Sequence, residues 1–536
     1  MKFAVLSDIH YFSRQMITDK TDTGLMLRPA MSESALASAA ARTDIDTLLL
    51  TGDLTDQGDM ASHRDMVQIL RSIQKTGKRV FVLTATHDFH HHKAYVRKQP
   101  QKVRYRSTPW DEPFFDPEKA DFRALAQDEF QDLPDEELIP ALEPAATPTD
   151  LWNLYYEFGP RDAIGMCPSS YSYCVALDDD TWCLMLNDSF RNEEAMHDIS
   201  PTYSPETLRW IDAMVKAAKQ QDKFLFACTH HPLLPPSPGY RIGGSNRDMR
   251  SSQPGHMLAD IGINLVLSGH SHFCDVGFLT SDSGNTLCDI TTPSVRFYPP
   301  RYRLVELQGK AHKISIECVP TPIPAGFDLP QDSLEAYFAD SFYREYEDKI
   351  ARLPAPLNKL VRQTTVGTVC RLFPGAKRMS PEQYAEIKEK KVFDIIINCA
   401  LNLQSGDGQY TPDTPEYQFM MGLASVLDSI IDTQPFSDIR SKKLKGYSLS
   451  QIIEPLLFNN SVPDAKAAFD FTVVPSPRTA PCEYKSAAGP VLMAILCVLA
   501  VPLSLLLPPI AILALPIKTV VKSRVNKVDP PKPERY

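Results

Sequence analysis

Five short blocks of aspartate, histidine and glycine fall in one order along the chain: Asp8-Ile9-His10, Gly52-Asp53, Thr86-His87-Asp88, His230-His231-Pro232 and Gly269-His270-Ser271-His272. Each follows an apolar, often β-branched run: Phe3 to Leu6, Thr47 to Leu50, Val80 to Leu83, Phe224 to Ala227 and Ile263 to Leu267. Runs of this length and composition predict buried strands. Each polar block is then expected at a strand end, where α/β proteins gather their functional groups. Between the runs, Met66, Ile69, Leu70 and Ile73 share one helical face ending at Gly77, and Ser204-Pro205-Glu206 opens a capped helix backed by Leu208, Ile211 and Val215. The alternation predicts a layered α/β domain over residues 1–320.

A chain of 536 residues exceeds one ordinary core, so at least two domains are expected. The balance of 56 basic to 66 acidic residues gives a net charge of -10, and no basic, aromatic-interleaved stripe is present to track a phosphate backbone, so nucleic acid is not an expected partner. The 11 cysteines are scattered without paired spacing, several inside strand-like runs, and read as buried reduced thiols of a cytoplasmic catalytic domain. Met1-Lys2 leads straight into the first strand, which leaves no room for a cleavable signal segment.

Between Phe89 and about Ala163 the alternation breaks into a polar stretch with aromatic clusters at Trp110, Phe114-Phe115 and Trp152 to Phe158, read as an insertion near the strand ends. His90-His91-His92 within it reads as solvated surface. After Val319 the segment Pro320-Thr321-Pro322-Ile323-Pro324-Ala325-Gly326 marks a boundary, and a helical accessory domain is expected over residues 321–486. There Leu334, Phe338, Phe342 and Tyr346 recur every fourth residue, and Thr414-Pro415 opens a helix carrying Phe419, Leu423, Val426, Leu427 and Ile430 on one side.

From Ala487 to Ile517 no residue is charged, a run exceeding the ~20 apolar residues that cross a bilayer as a helix. Membrane attachment through residues 487–517 is expected, followed by a basic, proline-containing tail over 518–536. Pro508-Pro509 favours a bend, and Lys518, Lys522, Arg524 and Lys527 follow the run. Because positive flanks tend to stay cytoplasmic, a re-entrant hairpin is preferred to a single-span tail anchor.

The five blocks resemble those of the calcineurin-like metallophosphoesterase superfamily, whose pattern is Asp-x-His, Gly-Asp, Gly-Asn-His-Asp/Glu, a His block such as His-x-Pro, and Gly-His-x-His. The resemblance covers roughly residues 1–310. It implies a β-sandwich flanked by helices, two divalent metal ions of the manganese, iron or zinc kind, and hydrolysis of a phosphomonoester or phosphodiester by a bridging hydroxide. Carried onto this chain, it assigns Asp8, His10 and His272 to the first metal, His230 and His270 to the second, and Asp53 to the bridge between them. His87 is then an outer-sphere catalytic residue assisting the leaving group, with Asp88 accepting its N–H and orienting it. His231 reads as structural, because the family places its metal on the first histidine of such a pair.

One block departs from the family. Ala85-Thr86-His87 stands where Gly-Asn-His is usual, so Thr86 offers the second metal a hydroxyl in place of an amide oxygen. Arg241, Arg247, Arg250 and Arg296 flank the ligand blocks and are candidates for pairing with a phosphate. No Walker-type loop is present, and Asn459-Asn460-Ser461 fits a glycosylation sequon but reads as a turn. The expected partners are a phosphoester substrate, lipid-linked if membrane attachment places it so, and the membrane itself. The rival expectation is a non-catalytic, membrane-attached scaffold with a degenerate metal site.

Overall fold

The computed structural model describes residues 1–89, 146–189, 203–234 and 253–431, positions 18–19 and a few single ones apart, with short pieces at 95–97, 103–105, 138–139, 450–457 in part and 466–470. The strands are β1 (Lys2–Leu6), β2 (Thr47–Thr51), β3 (Arg79–Leu83), β4 (Tyr95–Arg97), β5 (Val103–Tyr105), β6 (Leu138–Ile139), β7 (Gly165–Cys167), β8 (Ser172–Ala176), β9 (Thr181–Met185), β10 (Phe224–Cys228), β11 (Leu265–Ser268), β12 (Asp275–Thr280), β13 (Thr286–Thr291), β14 (Arg301–Gln308), β15 (Lys313–Pro320) and β16 (Lys466–Asp470). One sheet runs β16-β15-β14-β1-β2-β3 and a second β12-β13-β11-β10-β9-β8-β7, while β5-β4-β6 form a small third.

In the first sheet β1, β2 and β3 are parallel, with Ala4 opposite Leu48 and Leu48 opposite Val80. In the second, β9, β10, β11 and β13 are parallel, with Ala227 opposite Val266. Strand side chains alternate between faces, and here both faces of each sheet are apolar. Phe3, Val5, Leu49 and Phe81 on one sheet share a buried layer with Val175, Cys183, Phe226 and Leu267 on the other, and Phe3 stacks on Phe226 with ring centroids 5.7 Å apart. The alternate set, Ala4, Leu6, Leu48, Leu50, Val80 and Val82, packs beneath helices α1 (Thr23–Ala40) and α2 (Met60–Gln74). The second sheet turns Leu184, Ala227 and Val266 outward in the same way.

The polar block Thr86–Phe89 forms the one-turn helix α3, and α4 (Pro148–Leu154) starts on a capping box made by Thr147 and Asp150. Helices α5 (Pro205–Gln220) and α6 (Gln253–Ile261) cover the outer face of the second sheet through Ile211, Val215, Leu258 and Ala259. Ser204 caps α5 by accepting from the Thr207 N–H, as the Ser-Pro-Glu start predicts. The result is an α/β sandwich flanked by helices. Two corrections concern its borders. Leu151, Tyr155 and Phe158, expected within the insertion, lie in the core beneath the first sheet, so the fold resumes by Ala146. The region expected as a helical accessory domain also returns strand β16 to the first sheet, with Ala467 opposite Ile316.

The helical region comprises α7 (Leu334–Ala351), α8 (Ala355–Gln363), α9 (Val366–Leu372), α10 (Pro381–Ile387), α11 (Val392–Ser405) and α12 (Pro415–Ile431). Its core gathers Val366, Ile395, Phe419, Leu423 and Leu427. Several contacts fasten it to the sandwich, among them Leu27 and Met31 of α1 packed with Leu334 of α7. Arg301 of β14 forms a two-pronged pair with Glu335 at 2.9 and 2.6 Å and reaches Asp407 at 2.7 Å; Tyr298 packs against the cluster of Ile350, Phe393, Ile397 and Leu401; and the Cys274 N–H donates to the Gln404 carbonyl.

The described cysteines are buried and free of disulfides. Among the described residues no helix is long and apolar enough to cross a membrane. The uncharged run 487–517 and the basic tail lie outside the described residues, as do His90-His91-His92, Arg241, Arg247, Arg250 and Asn459-Asn460-Ser461.

Candidate metal centre

The parallel strands of both sheets end on the same side, and all five polar blocks meet there. β1 delivers Asp8 and His10, β2 delivers Asp53, β3 delivers Thr86 and His87, β10 delivers His230 and β11 delivers His270 and His272. One backbone donor crosses between the sheets, the His270 N–H reaching Asp8 Oδ2 at 2.8 Å, while within the first sheet the Asp8 N–H reaches the Gly52 carbonyl at 3.1 Å and the His10 N–H the Asp53 carbonyl at 2.9 Å. Gly269 is required for this approach, since a Cβ there would lie 1.7 Å from Ser7 Oγ and 2.7 Å from Asp8 Oδ2. Asp8, His10, Asp53, His270 and His272 all hold positive φ, between 47° and 63°. That backbone region is sparsely used by non-glycine residues, and its concentration at one spot marks a functional site.

Asp8, His10 and His272 place ligand atoms within 4.8 Å of one another, and so do Asp8, Asp53 and His230. His10 Nε2 and His272 Nε2 face each other at 3.2 Å, and His230 Nε2 faces His270 Nδ1 at 3.3 Å. Asp53 Oδ2 stands between these pairs, 3.2 Å from His230 Nε2 and 3.9 Å from His10 Nε2. Asp8 Oδ1, buried and without a hydrogen-bond donor among the described residues, sits 3.3 Å from His272 Nε2.

This donor set fits a pair of cations. Facing imidazole nitrogens repel when both carry a proton, whereas a cation between them uses both lone pairs, and carboxylate oxygens with imidazole nitrogens suit ions of the manganese, iron and zinc kind. Electrostatics agree. Burial alone would raise Asp8 and Asp53, yet the surrounding histidines hold both carboxyls well below the usual range. Burial would depress His10, but Asp56, Asp8 and Asp53 lift it to about 9; His230 is lifted to about 10 against burial, chiefly by Asp53. The pocket's field is that of a cation site.

Thr86 Oγ1 lies 3.3 Å from Asp53 Oδ1, the oxygen that also accepts the His87 N–H at 2.8 Å. His87 packs edge-on to His10, and its Nδ1 meets the Asp56 carbonyl at 2.9 Å. The expected partner of that ring was Asp88, and the structure corrects this. The Asp88 carboxylate accepts from Thr55 N at 2.9 Å, Thr55 Oγ1 at 3.1 Å and Ala85 N at 2.8 Å, so it ties together the loops after β2 and β3. Burial with Asp53 nearby lifts Asp88 to about 7, while burial lowers His87.

Arg296 is likewise committed within the protein. Its guanidinium holds the His10 carbonyl and Asp56 Oδ1, the latter at 2.9 Å, and is 5% exposed, so it braces the first ligand loop and does not reach for substrate. Three residues that the sequence reading did not single out shape the site. Asp56 orients His10 and His87 and anchors Arg296; Asp188 accepts from His231 Nδ1 at 3.0 Å; His63 bridges the Tyr155 hydroxyl and the Asp88 carbonyl at 2.8 and 2.7 Å. Asp56 and Asp188 obey the same strand-end rule as the five blocks, which is the signal that finds them.

Two sheets whose parallel strand ends converge on interleaved carboxylates and imidazoles define a metallophosphoesterase-type domain. The calcineurin-like phosphoesterase family matches residues 1–274 of this chain, and the chain belongs to that family. Among solved structures, the chain is similar to a dimetal phosphatase from Danio rerio, with 13% identity and a TM-score of 0.33 over 59% of this chain and 95% of that one. It is also similar to a putative 5'-nucleotidase from Staphylococcus aureus in complex with alpha-ketoglutarate, with 12% identity and a TM-score of 0.31 over 74% of this chain and 71% of that one. Superpositions this loose carry no information on substrate. No curated protein sequence matches the chain.

Proposed function

We propose that this chain is a metal-dependent hydrolase of phosphomonoesters or phosphodiesters, holding two divalent cations between the sheets and attached to a membrane through residues 487–517, its catalytic domain facing the cytoplasm. The observation that carries the catalytic reading is Asp53, whose Oδ2 lies within 3.9 Å of histidine nitrogens from both clusters, the position a bridging carboxylate requires. Asp8, His10, His272 and Asp53 would hold one cation, and Asp53, His230 and His270, joined by the Thr86 oxygen, the other. When bound, such a pair supplies Lewis acidity and lowers the pKa of water.

The protein's own groups supply the rest. The His87 Nδ1–H donates to the Asp56 carbonyl, which fixes the tautomer and leaves Nε2 for a phosphoryl or leaving-group oxygen. With Nδ1–H held, Nε2 carries a proton only in the imidazolium form, which takes it up from solvent; burial lowers the His87 pKa, so that proton is readily passed on to a departing alkoxide. Asp88 keeps the His87 turn in register with the Asp53 loop through its backbone donors.

Hydrolysis of monoesters, diesters, cyclic nucleotides and glycerophosphodiesters, screened with manganese, iron and zinc, tests the reading. Turnover that Asp53→Asn lowers by about 10³-fold or more, equivalent to about 4 kcal/mol of barrier, is expected. A protein that binds no divalent metal and turns over none of these substrates would be a scaffold.

A further inference from the structure

His231 is buried in the wall behind His230 and His270. Its Nδ1 is taken by Asp188 Oδ1 at 3.0 Å, and its backbone N–H donates to Asp188 Oδ2 at 2.8 Å, so the carboxylate is held in place and the ring cannot turn without losing its Nδ1 partner. The other nitrogen, Nε2, is buried with no hydrogen-bond partner among the described residues. A buried polar atom left bare costs about 1–3 kcal/mol. The ring stands 4.1 Å from that of His270, tilted by 47°, and 5.0 Å from that of His230, nearly perpendicular. His230, His231 and His270 each place a ring nitrogen within 4.8 Å of the others.

An imidazole with one N–H anchored on a carboxylate and the other nitrogen buried without a partner, beside two further imidazoles, has the arrangement of a metal ligand, since ligating histidines characteristically donate their second N–H to a carboxylate or carbonyl. His230 follows that pattern, with Nδ1 on the Thr51 carbonyl at 2.9 Å. At the facing position, Thr86 offers only a hydroxyl, already directed at Asp53 Oδ1. The second cation site thus lacks a strong donor on one side and has a bare buried nitrogen on another.

We propose that His231 Nε2 is a ligand of the second cation, a third imidazole that makes up for the amide missing at Thr86; this rests on the dinuclear reading above. Cation–nitrogen distances of about 2.0–2.1 Å place ligating nitrogens about 3.4 Å apart at tetrahedral angles, and His230 Nε2 and His270 Nδ1 already stand 3.3 Å apart. The first site then has two imidazoles and two carboxylates, and the second three imidazoles and the shared Asp53. The nitrogen-rich second site favours zinc or iron over manganese or magnesium, and the two positions differ in metal preference.

The variant that tests this is His231→Asn, whose side-chain amide can still donate to Asp188 while Nε2 is removed. Metal-stripped full-length protein is titrated with zinc by calorimetry, and bound metal is counted by mass spectrometry. Two equivalents in the parent, with the second weakened by about 100-fold or lost in the variant and the first unchanged, are expected. Asp188→Asn should weaken the second site by about 10–100-fold. Equal affinity and stoichiometry in parent and His231→Asn would overturn the assignment while leaving the dinuclear reading intact; a parent that binds no zinc would overturn both. Should His231→Asn fail to fold, a zinc-loaded crystal structure of the parent decides: Nε2 within about 2.3 Å of a cation supports the ligand, and Nε2 on a water or a protein donor overturns it.

Discussion

His87 and Thr86 are adjacent residues with separable roles, and single substitutions should part them. His87→Ala removes a ring that packs edge-on to His10 but is not among the proposed ligands, so both cations should remain while turnover falls by about 10²–10⁴-fold, most steeply for substrates with poor leaving groups. A plot of rate against leaving-group pKa measures this, and an equal loss on good and poor leaving groups would remove the assigned role. Thr86→Asn exchanges a hydroxyl for an amide oxygen and should tighten the second cation; calorimetric titration of stripped protein reads the change, and an unaltered affinity would mean that position 86 does not face the cation. At this scale the sequence was informative where chemistry and strand ends coincide. Asp8, His10, Asp53, His87, His230, His270 and His272 lie in blocks whose order restricts what they can form. Their orienting partners were harder to read. The family resemblance implies Asp88 as the partner of the His87 ring, yet the Asp56 carbonyl takes that N–H, and backbone carbonyls leave no signature in a side-chain pattern. His231 was set aside on family precedent, whereas its buried nitrogen becomes visible only when Asp188 arrives from the end of β9.

Elements announced themselves through periodicity. The strands that carry the blocks and the helices starting at Met60, Pro205 and Pro415 form where the apolar spacing placed them, because their local preference and their tertiary burial agree. The misreadings fall where the two part. Trp152 to Phe158 sits beside a polar stretch and was grouped with it, although Leu151, Tyr155 and Phe158 are inserted beneath the first sheet. β16 has only five residues and pairs with a strand about 150 positions earlier, a long-range register that local pattern cannot supply. The seam between sandwich and helical region has its own test. Arg301 is 8% exposed and holds two carboxylates across that seam, and Arg301→Ala leaves Glu335 and Asp407 unpaired. Because both acids are partly solvated, the cost should be about 1–3 kcal/mol, below that of a fully buried pair. Thermal unfolding should show it, with faster proteolysis of the helical region; an unchanged melting temperature and cleavage rate would assign the fastening to the remaining contacts, those of Tyr298, Cys274 and the cluster of Leu27, Met31 and Leu334.

For the molecule as a whole, chemistry and attachment belong to different parts of the chain. All the candidate ligands lie between Asp8 and His272, the helical region follows, and β16 brings the chain back to the edge of the catalytic sheet before the uncharged run begins. A cut before Ala487 therefore spares each strand of the described sheets while removing the segment whose length and lack of charge suit a bilayer. Full-length protein should sediment with membranes and resist extraction by salt, because apolar burial, unlike ionic attraction, is not screened. The truncated protein should be released while hydrolysing a small soluble phosphoester at the parent's rate. A lipid-linked phosphoester should instead become a poorer substrate after truncation, since attachment raises the local encounter rate without altering the metal centre. Release of the full-length protein by salt alone would sink the embedded segment, and loss of activity on the small soluble ester after truncation would show that residues beyond 486 contribute to the catalytic fold.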